Sequence, residues 1–351
     1  MSEPTSQKIP VTVLTGYLGA GKTTLLNRIL SGNHGKKYAV IVNEFGEIGI
    51  DNDLIIGADE EVFEMNNGCV CCTVRGDLVR ILDGLMKRKG KFDAIIVETT
   101  GLADPAPVAQ TFFVDEDVQK NARLDAVVTV ADAKWLSDRL KDAPEAKNQI
   151  AFADVIVLNK SDLVSKPELA EVEARIRGIN PYAKLHRTER CKVALSDVLE
   201  RGAFDLDRIL EIEPDFLEAE DDHHHHDHDH HHHDHDHHHH DHGHGLKHYH
   251  DEDMQSLSLS SDKPLDPSRF MPWLQNLVAT EGQKILRSKG ILAFSDDDDR
   301  YVFQGVHMML EGDHQRPWKD GEPRLSRLVF IGRELPEAAI REGFESCIVT
   351  Q

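Results

Sequence analysis

The chain has 351 residues, 40% of them hydrophobic and 29% charged, so most of it is expected to fold, as two domains rather than one. Its formal net charge of −22 excludes the basic surface that nucleic-acid binding requires. Residues 1–10 lack the apolar segment of a secretory signal, and no apolar run reaches the roughly 20 residues of a membrane span. We therefore expect a cytoplasmic protein with neither a nucleic-acid nor a membrane partner.

The first half of the chain alternates short β-branched runs with stretches that have helical periodicity. Central strands of a parallel sheet are continuously apolar, and the alternation with helices places such a sheet between two helical layers. We therefore predict an α/β domain over residues 8–210 with a mainly parallel sheet. Its expected strands are residues 11–14, 38–42, 94–97, 126–130 and 155–158.

A phosphate-binding loop is predicted between the first strand and a helix beginning near Thr24. Residues 16–23 read GYLGAGKT, in which glycines let main-chain N–H groups surround phosphate oxygens. Lys22 is expected to reach the β- and γ-phosphates, and the Thr23 hydroxyl to ligate Mg²⁺. The expected nucleotide contacts come from Gly16, Tyr17, Leu18, Gly19, Ala20, Gly21, Lys22, Thr23 and Thr24.

A metal site is predicted at three clustered cysteines, Cys69, Cys71 and Cys72. Their spacing is poorly suited to disulfides between separate elements, and thiolates are soft ligands that select Zn²⁺ or Cu(I). Three thiolates supply most of a tetrahedral shell, and the fourth ligand stays open. Candidates for it are acids of the preceding segment, Glu44, Glu47 and Asp51.

Two polar segments follow predicted strands, at the edge of the sheet where such folds bind nucleotides. Glu98 can reach Mg²⁺ through water or orient the attacking water, and the Gly101 N–H can contact the γ-phosphate. In the second segment, Asp162 can accept hydrogen bonds from guanine N1–H and the exocyclic amine. Asn159 can contact the acceptor edge of the base, and the Lys160 stem can cover its face. This pattern favours GTP over ATP, because adenine would leave the carboxylate unpaired.

Residues 211–254 are predicted to form an acidic, His-rich flexible linker. Residues 223–250 hold 18 of the 22 histidines, and residues 211–253 carry a net charge of −14. Such a segment cannot bury enough apolar surface to offset its chain entropy. We expect it to supply weak metal sites, chiefly from two runs of histidines: His223, His224, His225, His226, His237, His238, His239 and His240.

A small α+β domain is predicted over residues 255–351. Its expected strands are residues 256–260, 291–294, 301–309 and 327–331, and its expected helices are residues 267–280 and 336–347. The pattern does not determine the order of these strands.

These segments together resemble the CobW-type GTPases, relatives of the UreG and HypB metallochaperones. The resemblance rests on GYLGAGKT, on NEFG at residues 43–46, on NGCVCC at 67–72, on ETTGLADP at 98–105 and on NKSD at 159–162. It extends to residues 304–307 and 327–332, which look like the CobW C-terminal domain. Within the family, the chain is most similar to the zinc-regulated GTPase metalloprotein activators.

The resemblance implies that Cys69, Cys71 and Cys72 bind zinc, and that GTP hydrolysis accompanies zinc transfer to a client metalloprotein. A nucleotide-dependent homodimer is a further expected partner. Residues 1–10 lack the cysteine-containing docking segment of the eukaryotic activators, so their aminopeptidase client is not implied. The alternatives are a cobalt-handling GTPase linked to cobalamin synthesis, a passive metal buffer and a signalling GTPase with a structural metal. The sequence leaves the physiological metal open between zinc, cobalt and nickel.

Overall fold

The structure, a computed structural model, describes residues 8–32, 35–43, 62–65, 73–87, 92–203, 253–319 and 321–350. Several predicted sites lie outside these residues and stay predictions: Glu44, Glu47, Asp51, Cys69, Cys71, Cys72 and the histidines of residues 223–250. Within the described ranges, no helix is both long and apolar enough to cross a bilayer.

The first sheet has seven strands in the order β3-β2-β4-β1-β5-β6-β7, and every pairing in it is parallel. Its strands are β1 (Ile9–Thr15), β2 (Tyr38–Asn43), β3 (Val62–Met65), β4 (Ala94–Glu98), β5 (Ala122–Asp132), β6 (Val155–Asn159) and β7 (Lys184–Arg187). The connecting helices are α1 (Lys22–Leu30), α2 (Thr73–Met86), α3 (Ala106–Val114), α4 (Glu116–Asn121), α5 (Leu136–Asp142), α6 (Pro144–Phe152) and α7 (Lys166–Ile179).

The predicted parallel α/β domain is therefore confirmed, and its central strands are buried on both faces. All five residues of β4 and of β6 are buried. Each apolar side chain buried in this way contributes roughly 1.5–3 kcal/mol. The sequence patterns missed β3 and β7, both of four residues. The β7 sequence, KLHR, has no apolar run, because an edge strand has a neighbour on one side only.

The topology places the carboxyl end of β1 at the switch point of the sheet. Strands β2 to β4 lie on one side of β1, and β5 to β7 lie on the other. The loops that leave the sheet on the two sides of this point diverge, which opens the crevice where open α/β sheets bind ligands.

The second sheet is antiparallel, with the order β11-β10-β9-β12-β8. Its elements are β8 (Gln255–Ser261), α8 (Pro267–Glu281), β9 (Ile285–Ala293), β10 (Asp299–Val306), β11 (Met309–Pro317), β12 (Ser326–Gly332) and α9 (Glu337–Ser346). The predicted strand over residues 301–309 was wrong. The chain reverses at His307, whose φ of 51° interrupts the extended backbone between β10 and β11. The apolar pattern runs across this turn, so periodicity alone could not locate it.

The second sheet packs on the first domain with one face and on its own helices with the other. Ile291, Val302 and Val329 join the apolar cluster of the first domain. Their strand neighbours, such as Leu292 and Phe303, lie in a second cluster with residues of α8 and α9. The two-residue alternation of a strand thus divides its side chains between two cores.

Buried charges also join the two parts of the molecule. Asp154, just before β6, accepts from Arg287 Nη2 at 2.8 Å and lies 3.2 Å from Lys289 Nζ, both on β9. Its other oxygen accepts from the Val127 N–H at 2.9 Å. These buried basic residues explain why the first half of β9 was not predicted, since a polar pair does not resemble a buried strand. Such charges are tolerated in an interior because they are paired.

Candidate nucleotide-binding site

The loop after β1 has a backbone shape that depends on its glycines. Gly16, Gly19 and Gly21 have φ of 139°, 76° and 119°, values that residues with a β-carbon rarely adopt. At Gly16 a β-carbon would lie 2.2 Å from the Val130 carbonyl oxygen, so the loop can lie against β5 only without a side chain there. The result is a main-chain cradle at the switch point.

Helix α1 is fixed with its N-terminus at this cradle. Leu25, Leu26 and Ile29 are buried in the core cluster, and they hold the helix against the sheet. An N-terminus presents unpaired main-chain N–H groups and the positive end of the helix dipole, which suits a phosphate. Thr23, in the first turn, is partly buried, and Thr24 is exposed.

Lys22 brings a cation into the cradle. Its side chain is 8% exposed, and Nζ donates to the Gly16 carbonyl oxygen at 2.9 Å. A buried ammonium group, a glycine-shaped loop and a helix N-terminus together fit a polyphosphate. The first residue of α1 is Lys22 itself, two residues earlier than the start predicted near Thr24.

The predicted guanine segment, residues 159–162, is joined to the phosphate loop by Asn159. Its Nδ2 donates to the Ala20 carbonyl oxygen at 2.9 Å. Its Oδ1 accepts from the Cys191 N–H at 2.8 Å and from Thr188 Oγ1 at 3.3 Å. Both ends of this buried amide are therefore engaged with protein groups, which gives Asn159 a positioning role. Its predicted contact with the base stays a prediction.

Lys160 makes a second connection between the same two segments. It has φ of 59°, and its Nζ donates to the Gly19 carbonyl oxygen at 2.8 Å and to Asp132 Oδ2 at 2.5 Å. Asp162 lies two residues further on, in the short 3₁₀ turn Ser161–Leu163, and is exposed. The geometry thus places the Lys160 stem beside the loop and leaves the Asp162 carboxylate accessible to a ligand.

Cys191 lies beneath the phosphate loop. The residue is buried, and its thiol donates to the Gly21 carbonyl oxygen at 3.4 Å. Burial raises the pKa of Cys191 to about 11, although the charges of Arg28 and Lys160 oppose this shift. The thiol is therefore neutral at physiological pH and acts as a small packed group rather than as a nucleophile.

The β4–α3 loop, residues 99–105, packs directly on the phosphate loop. The Thr99 hydroxyl donates to Thr15 Oγ1 at 2.9 Å, and Glu98 is buried at the end of β4. A β-carbon on Gly101 would lie 2.6 Å from the Leu18 nitrogen, so this close approach requires glycine. The structure therefore brings Glu98 and Gly101 beside the loop that contains Lys22, as their positions after a neighbouring strand suggested.

Three residues of this site were missed by sequence reasoning: Asp132, Thr188 and Cys191. Asp132 ends β5 at the same sheet edge as Glu98 and Asn159. Because such sheets bind ligands at the carboxyl ends of their strands, Asp132 could have been identified by its position. The predicted strand ended at residue 130, so Asp132 was not recognised as a strand-end residue. Thr188 and Cys191 follow the polar edge strand β7, where the sequence offers no signal.

The described residues contain no group of three or more His, Cys, Asp or Glu side chains arranged to hold a metal. The predicted cysteine ligands lie outside this part of the chain. Their described neighbours are Met65, at the carboxyl end of β3, and Thr73, at the start of α2. Met65 itself lies at the sheet edge that carries the nucleotide loops, because parallel strands end on the same side of a sheet.

Comparison with known families gives two matches in tandem. Residues 10–187 match "CobW/HypB/UreG, nucleotide-binding domain". Residues 254–348 match "Cobalamin synthesis protein cobW C-terminal domain". The first match contains the phosphate loop, the β4–α3 loop and the guanine segment, and the second contains the antiparallel sheet.

Two curated relatives and one solved structure are similar over nearly the whole chain. The zinc chaperone YjiA of Escherichia coli is 34% identical over 96% of this chain and 98% of its own. The zinc-regulated GTPase metalloprotein activator 1 of Schizosaccharomyces pombe is 34% identical over 95% of this chain and 84% of its own. The crystal structure of Zn(II)-bound YjiA GTPase from E. coli superimposes with a TM-score of 0.73 and 29% identity, covering 98% and 100% of the two chains. The chain thus belongs to the CobW/HypB/UreG family and joins that family's nucleotide-binding domain to a CobW C-terminal domain.

Proposed function

We propose that this protein is a GTP-hydrolysing zinc metallochaperone of the cytoplasm. The observation that carries the proposal is the double connection between the guanine segment and the phosphate loop, through Asn159 to Ala20 and through Lys160 to Gly19. This connection fixes a base-recognition segment and a phosphate cradle as one unit. The names of the relatives, a zinc chaperone and a zinc-regulated GTPase, support GTP and zinc as its ligands.

In this proposal the residues of the site divide their work between binding and hydrolysis. The loop from Gly16 to Thr24 holds the phosphates through main-chain N–H groups, and Lys22 neutralises charge that develops on the transferring phosphoryl group. Glu98 orients the attacking water, and the Gly101 N–H contacts the terminal phosphate. Thr23, in the first turn of α1, would hold Mg²⁺, which supplies further charge neutralisation when bound.

Guanine specificity rests on Asp162. Its exposed carboxylate can accept from two donors that guanine has and adenine lacks. The guanine segment is held at a fixed position relative to the phosphate loop by Asn159, Lys160 and Asp132. One nucleotide can therefore contact both segments at once, with its base at the first and its phosphates at the second. Neutral Cys191 fills the space beneath.

The cargo site consists of Cys69, Cys71 and Cys72, with Glu44 as the candidate fourth ligand. Support comes from thiolate chemistry, which suits Zn²⁺, and from the position of the flanking elements β3 and α2 at the nucleotide edge of the sheet. Zinc at this site is transferred to a client metalloprotein. The histidines of residues 223–250 supply weaker, pH-sensitive sites that raise local zinc concentration.

A nucleotide-dependent homodimer is part of the proposal. Four large apolar side chains are 50% to 75% exposed in loops that follow β1, β4, β5 and β6: Leu18, Leu102, Trp135 and Leu163. All four lie at the nucleotide edge, because parallel strands end on the same side of a sheet. A second copy bound across this edge would bury them and enclose the nucleotide. Light scattering should give a dimer mass with a non-hydrolysable GTP analogue and a monomer mass with GDP.

The test of the function compares tight zinc binding and hydrolysis in a matched set of variants. Replacing Cys69, Cys71 and Cys72 by serine should remove one tight zinc site and leave the GTP affinity measured without zinc unchanged. Cys347→Ser, which alters a buried cysteine of the second domain, is the control and should keep that site. Deletion of residues 223–250 should lower zinc capacity only at the weaker sites.

The same zinc titration, repeated with cobalt, addresses the metal. A tight site that survives the triple replacement would remove the cysteines from the proposal. Tight zinc binding without GTP turnover would instead indicate a passive metal buffer, and preference for cobalt over zinc at the cysteines would indicate a cobalt-handling protein.

A further inference from the structure

Two neighbouring amides on α6, Asn148 and Gln149, lie between the β4–α3 loop and the second sheet. Gln149 is 1% exposed, and its Nε2 donates to the carbonyl oxygens of Gly101 at 3.1 Å and Ala103 at 3.2 Å. Both hydrogens of the amide are thus used on one loop. The main-chain carbonyl oxygen of Gln149 accepts from Thr129 Oγ1 at 2.7 Å, which anchors the residue to β5.

Gly101 is consequently held on two sides. Gln149 fixes its carbonyl oxygen, and the Leu18 main chain lies against its Cα, too close for a β-carbon. The fixed carbonyl belongs to the peptide group between Gly101 and Leu102, whereas the Gly101 N–H belongs to the preceding peptide group and shares only the Gly101 Cα with it. The position of the Gly101 N–H is therefore restrained through that Cα by α6 and the phosphate loop together.

Asn148 extends this support into the second domain. Its Nδ2 donates to Asp104 Oδ2 at 2.8 Å, and the other oxygen of Asp104 accepts from the Ala106 N–H at 2.9 Å at the start of α3. Asn148 Oδ1 accepts from Arg333 Nη2 at 2.7 Å. Arg333 directly follows β12, and the same Nη2 lies 3.2 Å from the Pro144 carbonyl oxygen. A continuous chain of hydrogen bonds thus joins the second sheet to the β4–α3 loop.

A second contact between the domains lies close by. The His307 ring, at the β10–β11 turn, packs on Phe152 at the end of α6, with 5.6 Å between ring centroids. Burial lowers the pKa of His307, and the charge of Asp104 opposes that shift. Helix α6 is therefore held at both its ends by residues of the second sheet.

We infer that Gln149 is a positioning residue for GTP hydrolysis, and that Arg333 brings the second domain into the support of the same loop. The inference rests on the proposed function, in which the Gly101 N–H contacts the terminal phosphate. Stabilisation of developing charge depends on the placement of the donor, and a displacement of about 1 Å can cost on the order of 100-fold in rate. Gln149 and Arg333 touch no nucleotide atom in this scheme, so they act through Gly101.

The direct test replaces the donor amide without changing its size. Gln149→Glu presents a carboxylate to the two carbonyl oxygens, and Gln149→Met removes the hydrogen bonds while keeping the volume. Both should lower kcat by about 10- to 100-fold, with KM and GDP affinity within about twofold of wild type. Asn180→Asp is the matched control, because Asn180 is also a buried amide. It donates to three main-chain carbonyl oxygens at and just beyond the C-terminal end of α6. This variant should lower the thermal midpoint but keep kcat.

The second-domain arm of the test uses Arg333. Arg333→Ala should lower kcat by about 3- to 10-fold, and Arg333→Lys should restore part of the loss, since a lysine can still reach one acceptor. Arg341→Ala is the control. Arg341 is paired with Glu337 on α9, away from the loop, and its loss should leave kcat unchanged.

Lys22→Ala, measured alongside, separates two kinds of failure. If Lys22→Ala keeps wild-type turnover, the proposed nucleotide site itself is wrong. If Lys22→Ala stops hydrolysis while both Gln149 variants keep wild-type kcat, only the positioning role is overturned. Loss of kcat in Asn180→Asp as large as in Gln149→Met would also overturn it, because general weakening of α6 would then explain the effect. An Arg333→Ala protein with wild-type kcat would remove the second domain from the mechanism.

Discussion

The base side and the phosphate side of the nucleotide site are supported in different ways. On the base side, Asn159 and Lys160 bind main-chain oxygens of the phosphate loop, and all their described partners belong to the first domain. On the phosphate side, the β4–α3 loop depends on α6, and through Asn148 it reaches Arg333 of the second domain.

This difference in support suggests that guanine binding and the rate of GTP hydrolysis depend on different parts of the molecule. In the proposed function, guanine recognition depends on contacts local to one sheet edge, so it should not depend on what the second domain does. The β4–α3 loop, proposed to contact the terminal phosphate, shares a hydrogen-bond network with the second domain, so a change at either end should affect the other. Variants on the base side should therefore change affinity, whereas variants on the phosphate side should change turnover.

The largest effect is expected from Lys22→Ala. Its ammonium group is the buried cation of the phosphate loop, and loss of a group that stabilises developing charge costs about 100- to 1,000-fold in kcat. Steady-state hydrolysis of GTP measures it. Lys120→Ala, which removes an exposed lysine on α4, serves as the control and should behave as wild type.

Asp162→Asn should mainly change affinity. The amide presents a donor to guanine where the carboxylate accepted, and an unsatisfied polar group costs roughly 1–3 kcal/mol, which corresponds to about 5- to 150-fold in Kd. Titrations with GTP and ATP analogues measure this change. Asp138→Asn, at an exposed acid on α5, is the control. A variant that still discriminates against ATP as well as wild type does would place base recognition elsewhere.

Asp132→Asn should have a smaller effect in the same direction. The change removes the carboxylate paired with Lys160 Nζ but keeps an acceptor for the Lys134 N–H. We expect GTP affinity to fall by about 3- to 10-fold at unchanged kcat, as for a hydrogen bond worth roughly 1 kcal/mol. Asp115→Asn is the control, since Asp115 also accepts main-chain N–H groups, at the start of α4. A fall in kcat instead of affinity would contradict the division between the two sides.

The smallest expected effect is the slow alkylation of Cys191. With a pKa of about 11, the thiolate fraction at pH 8 is on the order of 0.001, and it rises about tenfold per pH unit up to that value. Iodoacetamide labelling followed by peptide mass spectrometry should find Cys191 largely unmodified at pH 8 and labelled rapidly in urea. Equal rates in the native and unfolded protein would show that the base of the phosphate loop is open to solvent.

The site was predictable from sequence where its chemistry is local and not where it depends on tertiary contacts. Glycine spacing identified residues 16–23, and the position of Glu98 and Asn159 after apolar strands identified the sheet edge. Asp132 escaped because its strand is longer than its apolar run. Gln149 and Arg333 carry no signal, since a glutamine in a helix and an arginine after a strand acquire their roles only when folding brings them to partners 48 and 185 positions away in the chain.

The parallel sheet was similarly easier to predict than the antiparallel one. Strands buried on both faces are apolar throughout, as β4 and β6 are. In the second sheet, the start of β9 was not predicted because it contains buried Arg287 and Lys289. The turn at His307 was not predicted because the apolar pattern continues across it. Pairing across a domain interface cannot be read from the periodicity of one segment.

The most direct test of the whole account is a zinc competition titration in three nucleotide states. A variant without residues 223–250 exposes the cysteine site alone, and it is titrated against a chelator with a non-hydrolysable GTP analogue, with GDP and without nucleotide. If GTP orders the segment that carries Cys69, Cys71 and Cys72, zinc should bind about 5- to 150-fold more tightly with the analogue than with GDP. Linkage then requires zinc to raise affinity for the GTP analogue by the same factor. Identical zinc affinities in all three states would contradict nucleotide-controlled delivery, even in a protein that binds zinc and hydrolyses GTP.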